Sequence, residues 1–299
     1  MELRLLFCAA LMIFLSCGGD SAQDQSKFGT LKATLAENPT KENRHALIAA
    51  YQEEIRNNPD KADDNARYLR ELAKLRVADN NHILGLQTLM LAIEDYPNSA
   101  ETAENVWQLG HIYHQNLQRP SVANIIKKLY AEEFPNGQFA EEAQRIGQSN
   151  PTSVADDLAK LGNSMYNETT HKVDYQAAND YIRVGELIAM LRPEDPQSPE
   201  YLHKIGETAR AIRTFPKAIK IYEKIYTQYP NFEKAPQALF LRAFTYDNDL
   251  GDKGTARALY QEFLDKYPND EFADDTRFLL DNLTKSDEEI IESFNQGKE

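Results

Sequence analysis

Few side chains in this sequence are spaced for chemistry. His111 and His114 stand three apart on what reads as a helix, a spacing that turns two imidazoles toward one metal ion. Zinc centres take three or four protein ligands, and no third His, Cys or acidic residue lies at ligand spacing to the pair. Adjacent carboxylates occur at Asp63-Asp64, Asp156-Asp157 and Asp274-Asp275. Each pair falls near an expected helix start, where negative charge complements the helix dipole. The sequence holds no Gly-Lys-Ser/Thr phosphate loop, no Gly-x-Ser-x-Gly elbow and no His-Glu-x-x-His, the spacings that such chemistry requires. No catalytic residue, cofactor or metal site is therefore expected, and the chemistry left to the chain is recognition.

The elements that must position recognition residues repeat. Pro59, Pro97 and Pro135 are 38 residues apart, and Pro193, Pro230 and Pro268 follow at 37 and 38. Four of these prolines sit in an aromatic-Pro-Asn triplet: Tyr96-Pro97-Asn98, Phe134-Pro135-Asn136, Tyr229-Pro230-Asn231 and Tyr267-Pro268-Asn269. Proline at that regularity cannot lie inside helices, so it marks the corner between units. Between corners the apolar pattern gives two amphipathic helices. Small residues fall where the pair would cross: Ala73 and Gly85, Gly110 and Ala123, Gly206 and Ala218, Ala243 and Ala256. There a missing side chain lets backbones approach while larger neighbours fill the gaps.

A longer period overlies the first. A shift of 133 residues superposes Tyr68-Leu69 on Tyr201-Leu202, Tyr96-Pro97-Asn98 on Tyr229-Pro230-Asn231, Tyr113 on Tyr246, and Phe139-Ala140 on Phe272-Ala273. The expected fold is all-α: an α-solenoid of about six helix pairs in two duplicated three-repeat blocks, with no β-rich stretch. Units are expected at 28–59, 62–97, 100–135, 154–196, 198–230 and 233–268, with closing helices near 138–148 and 271–283. The blocks are then 27–149 and 150–284, joined at Gly147-Gln148-Ser149-Asn150-Pro151, with Asn150 or Ser153 as a cap for the next helix. Residues 285–299 form a short tail.

The pattern of a large apolar residue, Leu-Gly, Tyr, then Ala, an aromatic and Pro resembles the tetratricopeptide-repeat family. Ala235-Pro236-Gln237-Ala238-Leu239-Phe240 and the closing run from Ala256 to Asn269 are similar to its periplasmic lipoprotein branch. That branch includes the Tol-Pal system coordinator and the tetratricopeptide lipoprotein of the outer-membrane β-barrel assembly machine. The resemblance implies a periplasmic location and the binding of partner segments in a groove.

The start of the chain agrees with that location. Arg4 precedes an apolar run, residues 5–15, too short for a finished membrane span, which reads as a signal peptide covering residues 1–16. Phe14-Leu15-Ser16-Cys17-Gly18-Gly19 resembles a bacterial lipobox, which implies cleavage before Cys17 and lipidation of that cysteine. Two or more acyl chains hold a protein firmly on a bilayer. Residues 17–26 would be a tether, and Gly18 agrees with sorting to the outer membrane. Its periplasmic face is the expected side, the cell surface the alternative. Cys8 and Cys17 are the only cysteines, so no disulfide or thiolate site is expected in the mature chain. The net charge of −14, from 33 basic and 47 acidic residues, argues against nucleic acid as a partner.

In tetratricopeptide proteins the first helix of each pair lines the binding wall. The positions this implies are Arg67, Arg70 and Lys74 in the second unit; Trp107, His111 and His114 in the third; His203, Glu207 and Arg210 in the fifth; and Phe240 and Phe244 in the sixth. There the basic residues would hold a carboxylate and the aromatics would anchor apolar side chains. Trp107 reads equally as packed between units, and the basic cluster as a solvated face paired with neighbouring acids. The function expected is a non-catalytic interaction scaffold, lipid-anchored to the outer membrane and serving an envelope machine. Alternatives are a subunit of the β-barrel assembly machine, a substrate-capturing lipoprotein for uptake, or an enzyme using the irregular stretch from Asn167 to Asp174.

Overall fold

A computed structural model of the chain describes residues 22–285 together with 288 and 289. The signal segment, Cys17 and all of the tail beyond Lys285 except Glu288 and Glu289 lie outside the described residues. The described residues divide into two compact units between Pro59 and Asp60.

The first unit is a helical hairpin, α1 (Ala22–Glu37) and α2 (Lys41–Asn57). α1 begins inside the stretch expected to be a tether, because Ala-Gln-Asp-Gln-Ser-Lys contains no Gly or Pro to prevent a helix. Thr40 caps α2 by accepting from the Asn43 N–H at 3.2 Å. Phe28 and Tyr51 are buried with ring centroids 4.6 Å apart.

The second unit holds α3 (Ala62–Ala78), α4 (His82–Asp95), α5 (Thr102–His111), α6 (Pro120–Glu133), α7 (Ala140–Ser149), α8 (Val154–Asn163), α9 (Tyr175–Leu191), α10 (Ser198–Ala211), α11 (Phe215–Gln228), α12 (Ala235–Phe244), α13 (Lys253–Lys266) and α14 (Ala273–Asn282). π-helical turns, Ile112–Asn116 and Thr245–Asp249, extend α5 and α12. From α3 to α14 consecutive helices pack on each other, except across the α7–α8 joint, where α8 and α9 lie against α6. One apolar core runs from Ala73 to Ala238, and a second, from Tyr226 to Leu283, shares Phe232 and Leu241 with it. No helix among the described residues is long and apolar enough to cross a membrane.

The repeat is written in the backbone. The residue before each corner proline (Asn58, Tyr96, Phe134, Arg192, Tyr229 and Tyr267) has φ between −132° and −124° and ψ between 55° and 60°. Proline disfavours the α conformation at its predecessor, and the helix ends there. The duplication reaches the ends of elements: α4, α5, the first π turn, α6 and α7, shifted by 133 residues, coincide end to end with α11, α12, the second π turn, α13 and α14. The left-handed residues that turn one helix into its partner coincide as well, Asn80 (φ 61°) with Arg213 (62°) and Gln118 (55°) with Gly251 (69°). Small residues do mark the crossings. A Cβ on Gly85 would lie 2.7 Å from the Val77 side chain, and one on Gly206 2.7 Å from the Tyr222 ring.

Between α8 and α9 the chain forms a two-stranded antiparallel ribbon, β1 (Tyr166–Asn167) and β2 (Lys172–Val173). The Asn167 side chain accepts from the Thr169 and Thr170 N–H groups at 3.0 and 2.9 Å, closing a turn that a helix could not make. Side chains from Tyr166 to Gln176 are exposed.

The joint is capped as expected: Ser153 accepts from the Asp156 N–H at 3.0 Å and Asp156 accepts in return from the Ser153 N–H. It is also bound by polar pairs, some of them buried. Asp157 takes the Lys128 ammonium of α6. Asp180 of α9 accepts from the Tyr113 hydroxyl at 2.9 Å and pairs with Arg119 and Arg183. Arg192 pairs with Glu132, and with Glu133 at 2.6 Å.

Candidate partner-binding cleft

The residues expected to line a groove separate into two sets. Arg70, Trp107, His203 and Phe240 are buried between units, a correction to their placement on an open wall. The Arg70 guanidinium donates to Asn105 at 3.3 Å and is paired with Glu101 at 2.5 Å. Trp107 stacks flat on Phe139, centroids 4.6 Å apart at 5°, with the Lys127 ammonium 4.7 Å over its ring. Phe240, its counterpart in the second copy, stacks on Phe272 at 4.9 Å. His203 Nε2 lies 3.0 Å from Gln237 Oε1. The physical reason is common to all four: the first helix of a unit also packs against the next unit, and these side chains reach across that seam.

The other set reaches solvent. Arg67 is half-buried and paired with Asp64 at 2.6 Å; Lys74 is exposed and paired with Glu71 at 2.7 Å. His111 and His114 are exposed, and no three metal-ligating side chains converge among the described residues. Glu207, Arg210 and Phe244 come together.

Glu207 and Arg210 line a cleft of about 530 Å³ built by the end of α10, the start and middle of α11, α12 and the second π turn. Arg210 extends between Asp249, at 2.7 Å, and the ring of Phe244, whose centroid is 4.9 Å from the guanidinium carbon. Arg213, left-handed at the turn, places its guanidinium 5.7 Å over Phe215. The π turn adds a residue to the end of α12 and brings both Asn248 and Asp249 to the rim. Such turns inside α-helices recur at functional sites. Behind them stands Tyr222, fully buried at 0% exposure, its ring edge against Gly206. Among the described residues its hydroxyl has no hydrogen-bond partner, although Tyr222 lines the cleft. Burial, then the carboxylate of Glu207, push that hydroxyl's pKa well above the ordinary tyrosine value, so it stands as a neutral donor.

The cleft belongs to the second copy. At the equivalent places the first copy has Val77 for Arg210, Asn80 for Arg213, Leu89 for Tyr222 and Asn116 for Asp249. Sequence reasoning reached Glu207, Arg210 and Phe244 but missed Arg213, Tyr222, Asn248 and Asp249. That replacement of apolar or neutral residues by Arg, Tyr and Asp across the 133-residue shift was the signal that could have found them.

Residues 237–270 match the tetratricopeptide-repeat family model. No curated protein matches the chain. Among solved structures it is similar to the yeast Sti1 TPR2AB domain in complex with pHSP90, at 14% identity and a TM-score of 0.32, over 87% of this chain and 99% of that one. The matched segment takes in most of α12 and all of α13, and further helix pairs precede it.

Proposed function

We propose that the chain is a non-catalytic interaction scaffold, lipid-anchored through Cys17 to the bacterial outer membrane with its helix pairs on the periplasmic side, and that it serves an envelope machine by holding a partner's polypeptide segment. The lipobox-like residues around Cys17 support the anchor, and the tetratricopeptide repeat supports protein partners. The observation that carries the binding site is the Tyr222 hydroxyl, buried and unpartnered at a cleft that also offers Arg213. An unpaired buried hydroxyl costs about 1–3 kcal/mol, and a partner carbonyl or carboxylate that enters the cleft and displaces the side chains over it would accept from it.

Two substitutions separate binding from folding. Tyr222→Phe removes a hydroxyl that bonds to nothing, so thermal stability should be unchanged or raised. Arg213→Asn removes the charge while keeping a residue that tolerates the left-handed turn, as Asn80 does at the matching position. In cells expressing the full chain with a photo-crosslinking side chain at Ala211, both variants should lower the yield of the partner adduct by about tenfold. An undiminished adduct would remove the cleft from the proposal. Fractionation of the same cells tests the anchor: Cys17→Ser should move the chain from the membrane to the soluble fraction, and a membrane-bound variant would exclude the lipid.

A further inference from the structure

α4 and α11 are the same helix in the two copies, and they face each other across α9. Between them is a hollow of about 400 Å³ with Ile182 and Glu186 of α9 on its floor, continued by a smaller hollow of about 180 Å³ that ends at Pro97 and Pro193. Glu94 and Met190 line both, so the two form one groove along α9. From Asn179 to Pro193 it runs about 20 Å at the rise of a helix.

Its walls differ in chemistry. α4 supplies Met90 and Leu91, the latter 43% exposed. α11 supplies Lys217, Lys220 and Lys224, a single row at helical spacing. This row stands where α4 has Leu84, Gln87 and Leu91, so an apolar and neutral face in one copy is basic in the other. Lys217 is taken up by Glu186 at 3.0 Å and Lys220 by Glu94 at 2.7 Å. The Lys224 ammonium makes no ion pair or hydrogen bond among the described residues, although the residue is half-buried. Burial lowers its pKa from the ordinary lysine value, the mark of a cation short of an anion. On a chain of net charge −14 this is a local surplus of positive charge beside open apolar surface.

We propose that the groove between α4, α9 and α11 is a second docking surface, whose occupant is an acidic polypeptide segment carrying large apolar side chains. The apolar side chains fill the hollows against Met90, Leu91 and Met190, and a carboxylate takes Lys224. The Lys220–Glu94 pair is solvent-exposed on the lysine side, 56%, so exchanging Glu94 for a partner's carboxylate costs little. None of these residues lines the cleft at Tyr222, so failure of either surface leaves the other standing.

The test uses the full-length lipidated chain in detergent and fluorescein-labelled peptides, read by anisotropy. An alternating Glu-Leu peptide should bind saturably, and Lys224→Glu and Leu91→Glu should each weaken it about tenfold. Both side chains reach solvent, so both variants should keep the parent's helicity and melting temperature; Lys224→Gln, which only removes the charge, serves if Lys224→Glu does not fold. The proposal is overturned if the Glu-Leu peptide fails to bind, if a Glu-Ser peptide binds as tightly, if a Lys-Leu peptide binds equally, or if the groove variants bind unchanged. It is overturned equally if light scattering shows Leu91→Glu splitting a dimer of the parent, since the occupant would then be a second copy.

Discussion

Lys128→Ala is expected to cost about 3–5 kcal/mol of stability, the range for removing one partner of a buried ion pair. Lys128 is 4% exposed and Asp157 8%. The ammonium donates to the Asp157 carboxylate, to the Thr152 carbonyl at 2.9 Å and to Thr152 Oγ1 at 3.0 Å. Thr152 in turn donates to the other carboxylate oxygen of Asp157 at 2.6 Å. These bonds tie α6 to the loop before α8, where the helix-to-helix stacking is interrupted. Without Lys128 the buried carboxylate keeps only the exposed Lys160, 3.4 Å away, as a counter-ion, and α6 loses its tie to the loop before α8. Replacing both partners, Lys128→Met with Asp157→Leu, should recover most of the loss, because the penalty lies in the orphaned charge more than in the missing attraction. Urea denaturation followed by far-UV circular dichroism measures both. A single-variant loss under about 1 kcal/mol, the scale of an exposed pair, would show that the joint does not depend on it.

The same pair sets an acid dependence. Burial raises the Asp157 pKa, but the hydrogen bonds from Lys128 and Thr152 and the lysine's charge outweigh it, and the carboxyl is held below its ordinary value. A carboxyl with a depressed folded-state pKa contributes stability that is present above the unfolded value, near 4, and lost as pH falls through the folded pKa. The parent should therefore weaken in acid below about pH 4, and the Lys128→Met, Asp157→Leu double variant should lack that part of the slope.

The corners and the duplication were legible because they rest on local chemistry. Proline dictates the conformation of the residue before it, and Gly206 and Gly85 stand where a methyl group would collide. The Asp156-Asp157 pair was half legible. Asp156 does cap a helix start, whereas Asp157 answers a lysine on another helix, and no spacing rule connects residues across a joint. The groove residues were misassigned for a related reason. Helical periodicity separates buried faces from wet ones, but the first helix of a unit has two buried seams, one toward its partner helix and one toward the next unit. Arg70 and His203 are polar and so read as wet, yet they are paired inside the second seam with Glu101 and Gln237. The π turns leave no trace in periodicity because each inserts one residue at a helix end. Tyr222 read correctly as core, but that its hydroxyl lacks a partner depends on distances that only the fold defines.

The seam at Trp107 gives the other large effect, and the duplication supplies its control. Trp107→Ala should cost about 3–5 kcal/mol, the loss for truncating a buried aromatic. Trp107→Phe should cost less than about 1.5 kcal/mol. The second copy already runs this seam on phenylalanine. Phe240 stacks on Phe272 at 25° and meets Phe263 edge-on at 6.1 Å, as Trp107 stacks on Phe139 and meets Tyr130 edge-on at 5.3 Å. What phenylalanine forfeits is the larger ring under the Lys127 ammonium, worth about 0.5–1 kcal/mol, and some filled volume. Urea midpoints by far-UV circular dichroism measure both variants, since the chain's one tryptophan is the residue removed. If Trp107 instead held a partner in an open groove, Trp107→Ala would abolish capture at unchanged stability. A seam residue does the reverse: Trp107→Phe keeps the adduct at Ala211 while the alanine variant melts early, and equal stability of parent and alanine variants would refute the packing role.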